Sequence, residues 1–471
     1  MRIFCTALSL ILLSTGVGRA AERPNLVFVM VDDLGPAELS CLGHPVHKTP
    51  NIDRMAAEGI RFTQAYSGCC VCAPARSTLM TGYHTGHTTV RNNSGGIPLR
   101  DEDVTVAEVL SQAGYACGGF GKWGLGDAGT PGVAEKQGFD PFFGYYDQVH
   151  AHFYFPRYLW RSGVKVPLDG NARPPVDSRD RKAYEEDKMF VGKQFSQHRI
   201  FDEALRFIRQ NRDRPFFCYC PWTPPHGRWP MPPDEPAMDE FRDKPWPEEA
   251  KVYAGMVKMI DRNVGEILAL LEELRLDEKT VVFFCSDNGG IPSFEELFHP
   301  TGPLRGYKGQ LYEGGIRVPL VVRWPGRIEP GTLSDHPCYF PDVMPTLAEL
   351  AGASAYVPKD IDGISIVPTL LGEAAARRKQ DEHDYLYWEQ PGRQGAQAIR
   401  MGNWKAVWPG FGRADRPPIE LYDLSKDPGE ANNLAEEHPD MVAKARKLIT
   451  EAHLPPGPQQ EPPTPEGRMY R

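Results

Sequence analysis

The segment Asn25-Leu-Val-Phe-Val-Met-Val31 is a continuous apolar run that stops at the acidic pair Asp32-Asp33. Such a run is typical of a strand that is buried on both faces, as in a parallel sheet, because neither face meets water. A second run, residues 280–286, stops in the same way at the pair Asp287-Asn288. We therefore predict two core strands of one sheet, each followed by side chains that carry oxygen atoms.

Further patterns extend this sheet. Strands are predicted at 115–120 and 215–220, and a fifth strand at 317–323 contains Pro319. Because proline cannot donate a hydrogen bond to a strand ladder, we expect the fifth strand at an edge of the sheet. Apolar residues recur at helical spacing between the strands, at about 51–59, 105–113, 199–210 and 249–273. This alternation predicts a doubly wound α/β sheet, in which ligands bind beyond the carboxyl ends of the strands.

The chain is predicted to divide into four segments. Residues 1–20 have a positive start, a short apolar run and small residues at the end, which is typical of a cleaved secretory signal. After it we place a catalytic domain, a smaller C-terminal α+β domain and a Pro-rich tail, at residues 21–372, 373–454 and 455–471. We expect a secreted or periplasmic protein. No later stretch is long and apolar enough to span a bilayer, so we expect no stable membrane insertion.

The composition excludes several classes of protein. The 471 residues are 41% hydrophobic and 24% charged, which is globular and not fibrous or disordered. The net charge of −9 disfavours a nucleic-acid binder, because such proteins are usually basic. Nine of the ten cysteines lie beyond the predicted signal. Export permits disulfides, but an odd number leaves at least one thiol unpaired or chemically altered.

The two polar pairs that follow the core strands form a candidate metal site. Asp32, Asp33, Asp287 and Asn288 offer three carboxylates and one amide oxygen. Hard cations such as Ca²⁺ or Mg²⁺ prefer such a set, whereas Zn²⁺ usually takes His or Cys. Either pair alone is explained as the cap of a following turn or helix. Two pairs at the ends of two core strands favour the metal site.

The segment Cys72-Ala-Pro-Ala-Arg76 is a candidate nucleophile site. Pro74 suits the first turn of a helix, so Cys72 is expected at a helix N-terminus, where the dipole and free N–H groups favour an anion. Arg76 lies one turn further on the same face and reaches the same anion. This arrangement suits a nucleophile that attacks a charged ester. The alternatives are a disulfide with Cys69 or Cys70, or a Cys69-x-x-Cys72 redox pair.

Together, these blocks and several others resemble the sulfatase family. Cys72-x-Pro74-x-Arg76, followed by Ser77-Thr-Leu-Met-Thr-Gly82, is similar to the sulfatase activation motif. Other blocks similar to sulfatase segments occur in the family's order, and they are Val31-Asp-Asp-Leu-Gly35, Gly121-Lys-Trp123, Asp287-Asn-Gly-Gly290, residues 306–319 and the C-terminal stretch 421–434. The resemblance covers roughly residues 24–435. One such block is a weak signal, whereas an ordered series is specific.

The resemblance implies a fold and a set of roles. Sulfatases have an alkaline-phosphatase-like α/β fold, here a large mixed sheet with the smaller C-terminal domain. The motif cysteine, Cys72, is oxidised by a separate formylglycine-generating enzyme to Cα-formylglycine, whose hydrate is the nucleophile. Asp32, Asp33, Asp287, Asn288 and modified Cys72 would ligate one divalent cation, usually Ca²⁺, with Mg²⁺ as the alternative. Arg76 would hold the hydrate, Lys122 and Lys308 would bind the sulfate, and His226 would help the leaving group depart.

The chain departs from the family at one position. Many sulfatases read Gly-Lys-Trp-His-Leu-Gly, and this chain has Gly124 in place of the histidine. That histidine is associated with deprotonating the hemiacetal that the reaction forms, which glycine cannot do. His150 and His152 lie in a later loop, and of the two we prefer His152 as the replacement. The alternative is that both are packing residues of that loop.

The sequence thus predicts an exported sulfatase that hydrolyses sulfate monoesters, with a sulfated small molecule or glycan as substrate. One alternative is a phosphate or phosphonate ester hydrolase on the same scaffold. The other is a sulfoglycan-binding pseudoenzyme, which the glycine at position 124 suggests. Because the chain is acidic overall, its surface as a whole would not attract a long polyanion. This favours small or chain-end substrates.

Overall fold

The computed structural model describes residues 23–93, 97–174, 180–227, 230–392 and 395–456. The predicted signal and nearly all of the Pro-rich tail lie outside the described residues. The strands are β1 Asn25–Val31, β2 Ile60–Phe62, β3 Ala65–Tyr66, β4 Ala116–Lys122, β5 Phe142–Tyr145, β6 Tyr158–Arg161, β7 Val164–Pro167, β8 Phe216–Pro221, β9 Thr280–Ser286, β10 Leu320–Arg323, β11 Thr332–Ser334, β12 Cys338–Tyr339, β13 Leu386–Gln390, β14 Ala396–Met401, β15 Trp404–Pro409 and β16 Glu420–Asp423.

The helices of the same described residues lie mainly between the strands. They are α1 Pro50–Ala57, α2 Cys72–Thr81, α3 Val106–Gln112, α4 Arg181–Lys188, α5 Ser196–Gln210, α6 Glu248–Glu273, α7 Glu295–Phe298, α8 Glu313–Ile316, α9 Val343–Ala351, α10 Val367–Leu371, α11 Glu373–Ala376 and α12 Pro439–Ala452. The predicted helices at 51–59, 105–113, 199–210 and 249–273 correspond to α1, α3, α5 and α6. The predicted α/β class is confirmed.

A ten-stranded mixed sheet forms the centre of the protein, in the order β11-β2-β10-β9-β1-β8-β4-β5-β6-β7. The central strand β1 is parallel to β8 on one side and to β9 on the other. In the pairing with β9, Val31 lies opposite Ser286. Because these two strands run in the same direction and end at the same level, the residues that follow them emerge side by side. The fold therefore joins the two polar pairs at one edge of the sheet.

The predicted edge position of the fifth strand was wrong. β10 begins at Leu320, directly after Pro319, and it is antiparallel to both β9 and β2. It therefore lies inside the sheet. Pro319 precedes the strand, so its missing N–H removes no hydrogen bond from the ladder. The apolar run of residues 317–323 did not show that the strand begins only after its proline.

The core lies on both faces of the sheet, as the unbroken apolar pattern of β1 predicted. Alternate residues of β1 point to opposite faces. Val27, Val29 and Val31 pack in one cluster with residues of α5 and α6. Leu26, Phe28 and Met30 pack in the other cluster, with residues of α2, α3 and α9. Helices therefore cover both faces, and α2, which begins at Cys72, is held firmly against one of them.

The C-terminal part contains a second, antiparallel sheet in the order β13-β14-β15-β16. Helix α12 packs on it through Ala445 and Ile449, which contact the strands' buried residues. The buried Lys405 Nζ reaches from β15 to Glu313 Oε1 at 2.9 Å and to Glu430 Oε1 at 2.8 Å. The predicted α+β unit is present, and its exact limits at residues 373 and 454 stay a prediction. In the described ranges, no helix has the length and apolar character that crossing a bilayer requires.

Helix α3 provides a test of the local stabilisation. Thr105 accepts a hydrogen bond from the Glu108 N–H at 3.3 Å, and Glu108 Oε2 accepts one from the Thr105 N–H at 2.8 Å. This is a capping box. Thr105→Ala should lower the free energy of unfolding by about 1 kcal/mol. Chemical denaturation measures this, and Thr105→Ser, which keeps the hydroxyl, is the matched control. An equal loss in the serine variant would show that the methyl group, not the cap, matters.

Candidate active site

The residues after β1 and β9 form a buried cluster of carboxylates. The Asp33 N–H donates to Asp287 Oδ1 at 3.3 Å, and Asn288 Nδ2 donates to Asp33 Oδ1 at 2.8 Å. Asp32 and Asp287 are fully buried. Asp33 has a φ of 69°, in the left-handed region that few non-glycine residues adopt. Such a conformation costs free energy and persists where surrounding contacts fix it, which is common at functional sites.

Cys72 begins helix α2 and points at this cluster. Its Sγ lies 3.3 Å from Asp32 Oδ1, and the side chain is 1% exposed. Burial, with the nearby Asp32 charge, raises the pKa of the Cys72 thiol to about 12, so the thiol keeps its proton at neutral pH. The nine described cysteines are all unbridged. A disulfide of Cys72 with Cys69 or Cys70 is therefore not formed in this structure, and the two thiols of the Cys69-x-x-Cys72 pair are both reduced.

Arg76 lies between the two acidic strand ends. Its Nη2 is 2.7 Å from Asp287 Oδ2 and 3.4 Å from Asp32 Oδ2, and its Nη1 donates to the Lys122 carbonyl at 2.7 Å. The guanidinium is fully buried. It therefore ties α2 to β1, β9 and the end of β4, which fixes where the helix N-terminus and Cys72 point.

Two lysines bring further positive charge to the same carboxylates. Lys122 Nζ lies 2.5 Å from Asp32 Oδ2, and Lys308 Nζ lies 2.6 Å from Asp33 Oδ1. Burial alone would raise the pKa of Asp32, but Lys122, His226 and Arg76 outweigh it and hold that pKa well below its usual value. Lys122 is fully buried, whereas the Lys308 side chain is 19% exposed. Lys308 therefore lies towards the open side of the site.

The loop that carries Lys308 is tied to the strand ends. The Lys308 N–H donates to the Gly290 carbonyl at 2.9 Å, and the Gly309 N–H donates to the Cys70 carbonyl at 2.8 Å. A Cβ built on Gly289 would lie 2.0 Å from the Gly314 carbonyl oxygen, so only glycine permits this approach. The loop thus contacts the segments before Cys72 and after Asp287.

The structure brings His152 and His226 together and places His150 elsewhere. His226 Nε2 is 3.5 Å from Asp33 Oδ2, and its ring stacks on the His152 ring with centroids 4.4 Å apart. His150 is buried between the rings of Tyr145 and Tyr158, with centroids at 5.2 and 4.8 Å. Of the two loop histidines, His152 therefore borders the site and His150 packs in the loop. The role of His152 as the replacement for the family's histidine stays a prediction.

The donor set fits a hard divalent cation. Ligand atoms of Asp32, Asp33, Cys72 and Asp287 all lie within 4.8 Å of one another. Asn288 Oδ1 is buried and has no hydrogen-bond partner among the described residues. A buried acceptor without a partner costs free energy, and a cation would satisfy it. The oxygens of Asp32, Asp33, Asp287 and Asn288 would hold the ion, with residue 72 completing the set.

A second cluster has structural contacts instead. His87 Nδ1 lies 2.9 Å from Asp362 Oδ1, and His84 Nε2 lies 3.6 Å from the same oxygen. His84 Nδ1 accepts a hydrogen bond from the Gly86 N–H at 3.1 Å. A neutral imidazole whose Nδ1 accepts carries its proton on Nε2, so Nε2 is not a metal ligand in this tautomer. The cluster links the end of α2 to the segment around Asp362.

Two residues near the site were missed by the sequence analysis. The Ala73 N–H donates to Asn93 Oδ1 at 2.9 Å, so Asn93 caps the helix that Cys72 begins. Gln148 lies beside Gly124, with its Oε1 buried. Neither residue belongs to a motif with a recognisable spacing. The one indication in the sequence is that Asn93 follows the activation helix closely in the chain. The aromatic residues Tyr145, Tyr146 and Trp222 are buried.

Comparison with known proteins identifies the family. The family model described as Sulfatase matches residues 24–353, and the model described as N-sulphoglucosamine sulphohydrolase, C-terminal, matches residues 307–453. The chain belongs to the sulfatase family. Human arylsulfatase A is 34% identical, over 90% of this chain and 86% of the human protein. The N-acetylgalactosamine-6-O-sulfatase of Bacteroides thetaiotaomicron is 30% identical, over 92% of this chain and 93% of that protein.

A solved structure extends the likeness to the whole fold. The complex of Ps i-CgsB with k-i-k-neocarrahexaose superposes with a TM-score of 0.76 and 25% identity, over 95% of this chain and 96% of that one. The predicted family, fold class and enzyme class are confirmed, and the protein hydrolyses sulfate esters. The large mixed sheet and the small antiparallel sheet are those of the sulfatases.

The donor set predicts a response to calcium. Ca²⁺ at a hundredfold excess over its Kd should raise the free energy of unfolding by about 2.7 kcal/mol, and a chelator should reverse this. Asp287→Asn should reduce the calcium-induced rise in Tm, because it removes one of three carboxylates. Asp362→Asn alters a carboxylate outside the site and is the control. An unchanged calcium response in Asp287→Asn, or its loss in Asp362→Asn, would place the ion elsewhere.

Proposed function

We propose that this chain is an extracytoplasmic, calcium-dependent sulfatase that hydrolyses carbohydrate sulfate monoesters through a formylglycine at position 72. The observation that supports this most is the convergence of Cys72 with three carboxylates and three cationic side chains at the ends of β1, β4 and β9. The family's motif alone would not require these elements to meet. Mg²⁺ is the alternative cation.

The cationic side chains suit the binding of a sulfate ester. A sulfate monoester carries one negative charge, and further charge gathers on its oxygens as the ester bond breaks. Lys122 and Lys308 would donate to the sulfate oxygens, with Lys308 on the open side where the ester enters. Arg76 would hold residue 72 in place, because its guanidinium is fixed by the two strand ends.

The modification and the cation supply what the side chains lack. A hydrated formylglycine offers two hydroxyls on one carbon, so one attacks sulfur and the other expels the sulfate. A bound Ca²⁺ lowers the pKa of a hydroxyl that it contacts and neutralises charge on the sulfate oxygens. A formylglycine-generating enzyme would be the partner during maturation. The carboxylates of Asp32, Asp33 and Asp287 would hold the cation beside residue 72.

His226 is the proposed proton donor to the leaving oxygen. Its Nε2 lies 3.5 Å from Asp33 Oδ2, and Tyr154 donates to its carbonyl at 3.0 Å, which fixes the loop. Because the His152 ring stacks against one face of the His226 ring, the imidazole has little freedom to turn. Burial and the charge of Lys308 lower the pKa of His226 well below its usual value, so the ring would be neutral at neutral pH and would donate from its N–H. His152 is proposed as the second histidine of the site.

The relatives and the predicted signal support the proposed substrate class. One relative is named for N-acetylgalactosamine-6-O-sulfate chemistry, and one neighbour is solved with a neocarrahexaose. An exported enzyme would meet sulfated glycans of this general kind outside the cytoplasm. With a net charge of −9, the chain suits small or chain-end sulfated sugars better than long polyanions.

The modification of Cys72 is directly measurable. After coexpression with a formylglycine-generating enzyme, the tryptic peptide 62–76 should have the mass expected for an aldehyde in place of the thiol. Cys72→Ala should abolish turnover, because alanine offers no nucleophile. Cys70→Ala, which alters a neighbouring thiol, is the control and should retain turnover. An unmodified thiol in a fully active preparation would exclude the mechanism.

The choice of ester separates the sulfatase from the alternatives. The rate on an aryl sulfate should exceed the rate on the matching aryl phosphate, because the site is predicted to bind a singly charged ester. Lys308→Ala should weaken sulfate binding and slow turnover together, since Lys308 is the proposed contact on the open side. Faster hydrolysis of the phosphate would favour the phosphate or phosphonate hydrolase. Binding of sulfated sugars without any turnover would favour the pseudoenzyme.

A further inference from the structure

Many sulfatases carry a histidine at the position of Gly124. In this chain a side chain from another segment, that of Gln148, lies beside that position. Gly124 has a φ of 79°, and its N–H donates to the Tyr146 carbonyl at 3.0 Å. A Cβ built on Gly124 would lie 3.5 Å from Gln148 Oε1 and 3.8 Å from Gln148 Cβ. These are ordinary contact distances. Any longer side chain at position 124 would extend into the space that the Gln148 amide already fills.

The amide of Gln148 ends in an unusual environment. Its Oε1 is buried and has no hydrogen-bond partner among the described residues. A buried amide oxygen without a partner is costly and is normally explained by a water, an ion or a ligand. A primary amide carries one acceptor and two donors, and a half-turn about its last bond exchanges them. The end of the side chain can therefore offer either an oxygen or an N–H₂ group to a ligand.

Gly124, beside which the amide lies, is also close to the side chain of Arg76. The same built Cβ on Gly124 lies 4.0 Å from Cδ of Arg76, the residue whose guanidinium holds Asp32 and Asp287. Lys122 lies two residues before Gly124 and contacts Asp32. The Gln148 amide and the Arg76 side chain therefore flank the same point beside Gly124. Sulfate oxygens in an ester only accept hydrogen bonds, so a ligand of this kind requires the N–H₂ group.

We propose that Gln148 binds the sulfate group of the substrate by donating from Nε2 to a non-bridging oxygen, in the space left by Gly124. The proposal rests on the proposed function, since it assumes that the site takes a sulfate ester. It gives this chain a neutral donor where many sulfatases have an imidazole. An amide neither gains nor loses a proton, so Gln148 contributes binding and no proton transfer.

Two substitutions at Gln148 separate donation from acceptance. Gln148→Ala should raise both the KM for a sulfate ester and the inhibition constant of inorganic sulfate by about tenfold, the effect of one hydrogen bond to a charged group. Gln148→Glu keeps the shape and the acceptor oxygen but loses the donor and adds a negative charge. It should raise the same two constants by about a hundredfold, because the carboxylate repels sulfate. In both variants kcat should change less than KM.

A second readout does not depend on turnover. In the calcium-loaded protein with unconverted Cys72, inorganic sulfate should raise the Tm, and both Gln148 variants should reduce that rise. Gln137→Ala is the matched control, because Gln137 Oε1 is also buried without a partner, while its Nε2 donates to the Arg100 and Pro131 carbonyls. It should change stability without changing the inhibition constant of sulfate.

The outcomes distinguish this proposal from the proposed function. A wild-type protein that hydrolyses sulfate esters, with variants at Gln148 that bind sulfate as well as wild type does, would overturn the role of Gln148 alone. Wild-type sulfate binding in Gln148→Glu would do the same, because it would show that the amide serves as an acceptor. A wild-type protein that turns over no sulfate ester would instead contradict the proposed function.

Discussion

The in-register pairing of β1 with β9 is the constraint on which the rest of this protein depends. Because Val31 lies opposite Ser286, the chain delivers Asp32 and Asp287 to one point, and both carboxylates are buried there. Buried carboxylates at short range repel one another and are stable only with compensating charge. Arg76, Lys122 and Lys308 supply that charge. The site is therefore a balanced cluster of charges, and each of its cations has to be held in place.

The three cations come from three different parts of the chain, and the fold fixes each one separately. Arg76 is on α2, which packs against the sheet, and Lys122 ends β4. Lys308 lies in a loop tied to Gly290 and Cys70. Just after that loop, Glu313 is held by the buried Lys405 of the small C-terminal sheet. The small sheet thus holds the segment that follows the loop of Lys308.

The predictions succeeded where a pattern was long or where ordered blocks agreed. The run in β1 and the helical spacing in α6 were sufficient because many residues repeat one signal. The predicted edge position of β10 was wrong because Pro319 was assumed to lie inside the strand, whereas the strand starts after it. For the loop 147–152 the sequence offered two histidines and no periodicity. Only the packing of His150 between two tyrosines and the stacking of His152 on His226 separate them.

By itself the sequence determined the class of fold. It also predicted the acidic donor set and Cys72 as the position of the nucleophile, from residue type, from local spacing and from the resemblance to the sulfatases. It did not determine which side chain fills the space beside Gly124. The tertiary structure decided that, because Gln148 reaches Gly124 through the pairing of two chain segments that lie apart in sequence. The tertiary structure also decided how the charges balance, because a carboxylate's neighbours across the sheet depend on strand order, which no local pattern records.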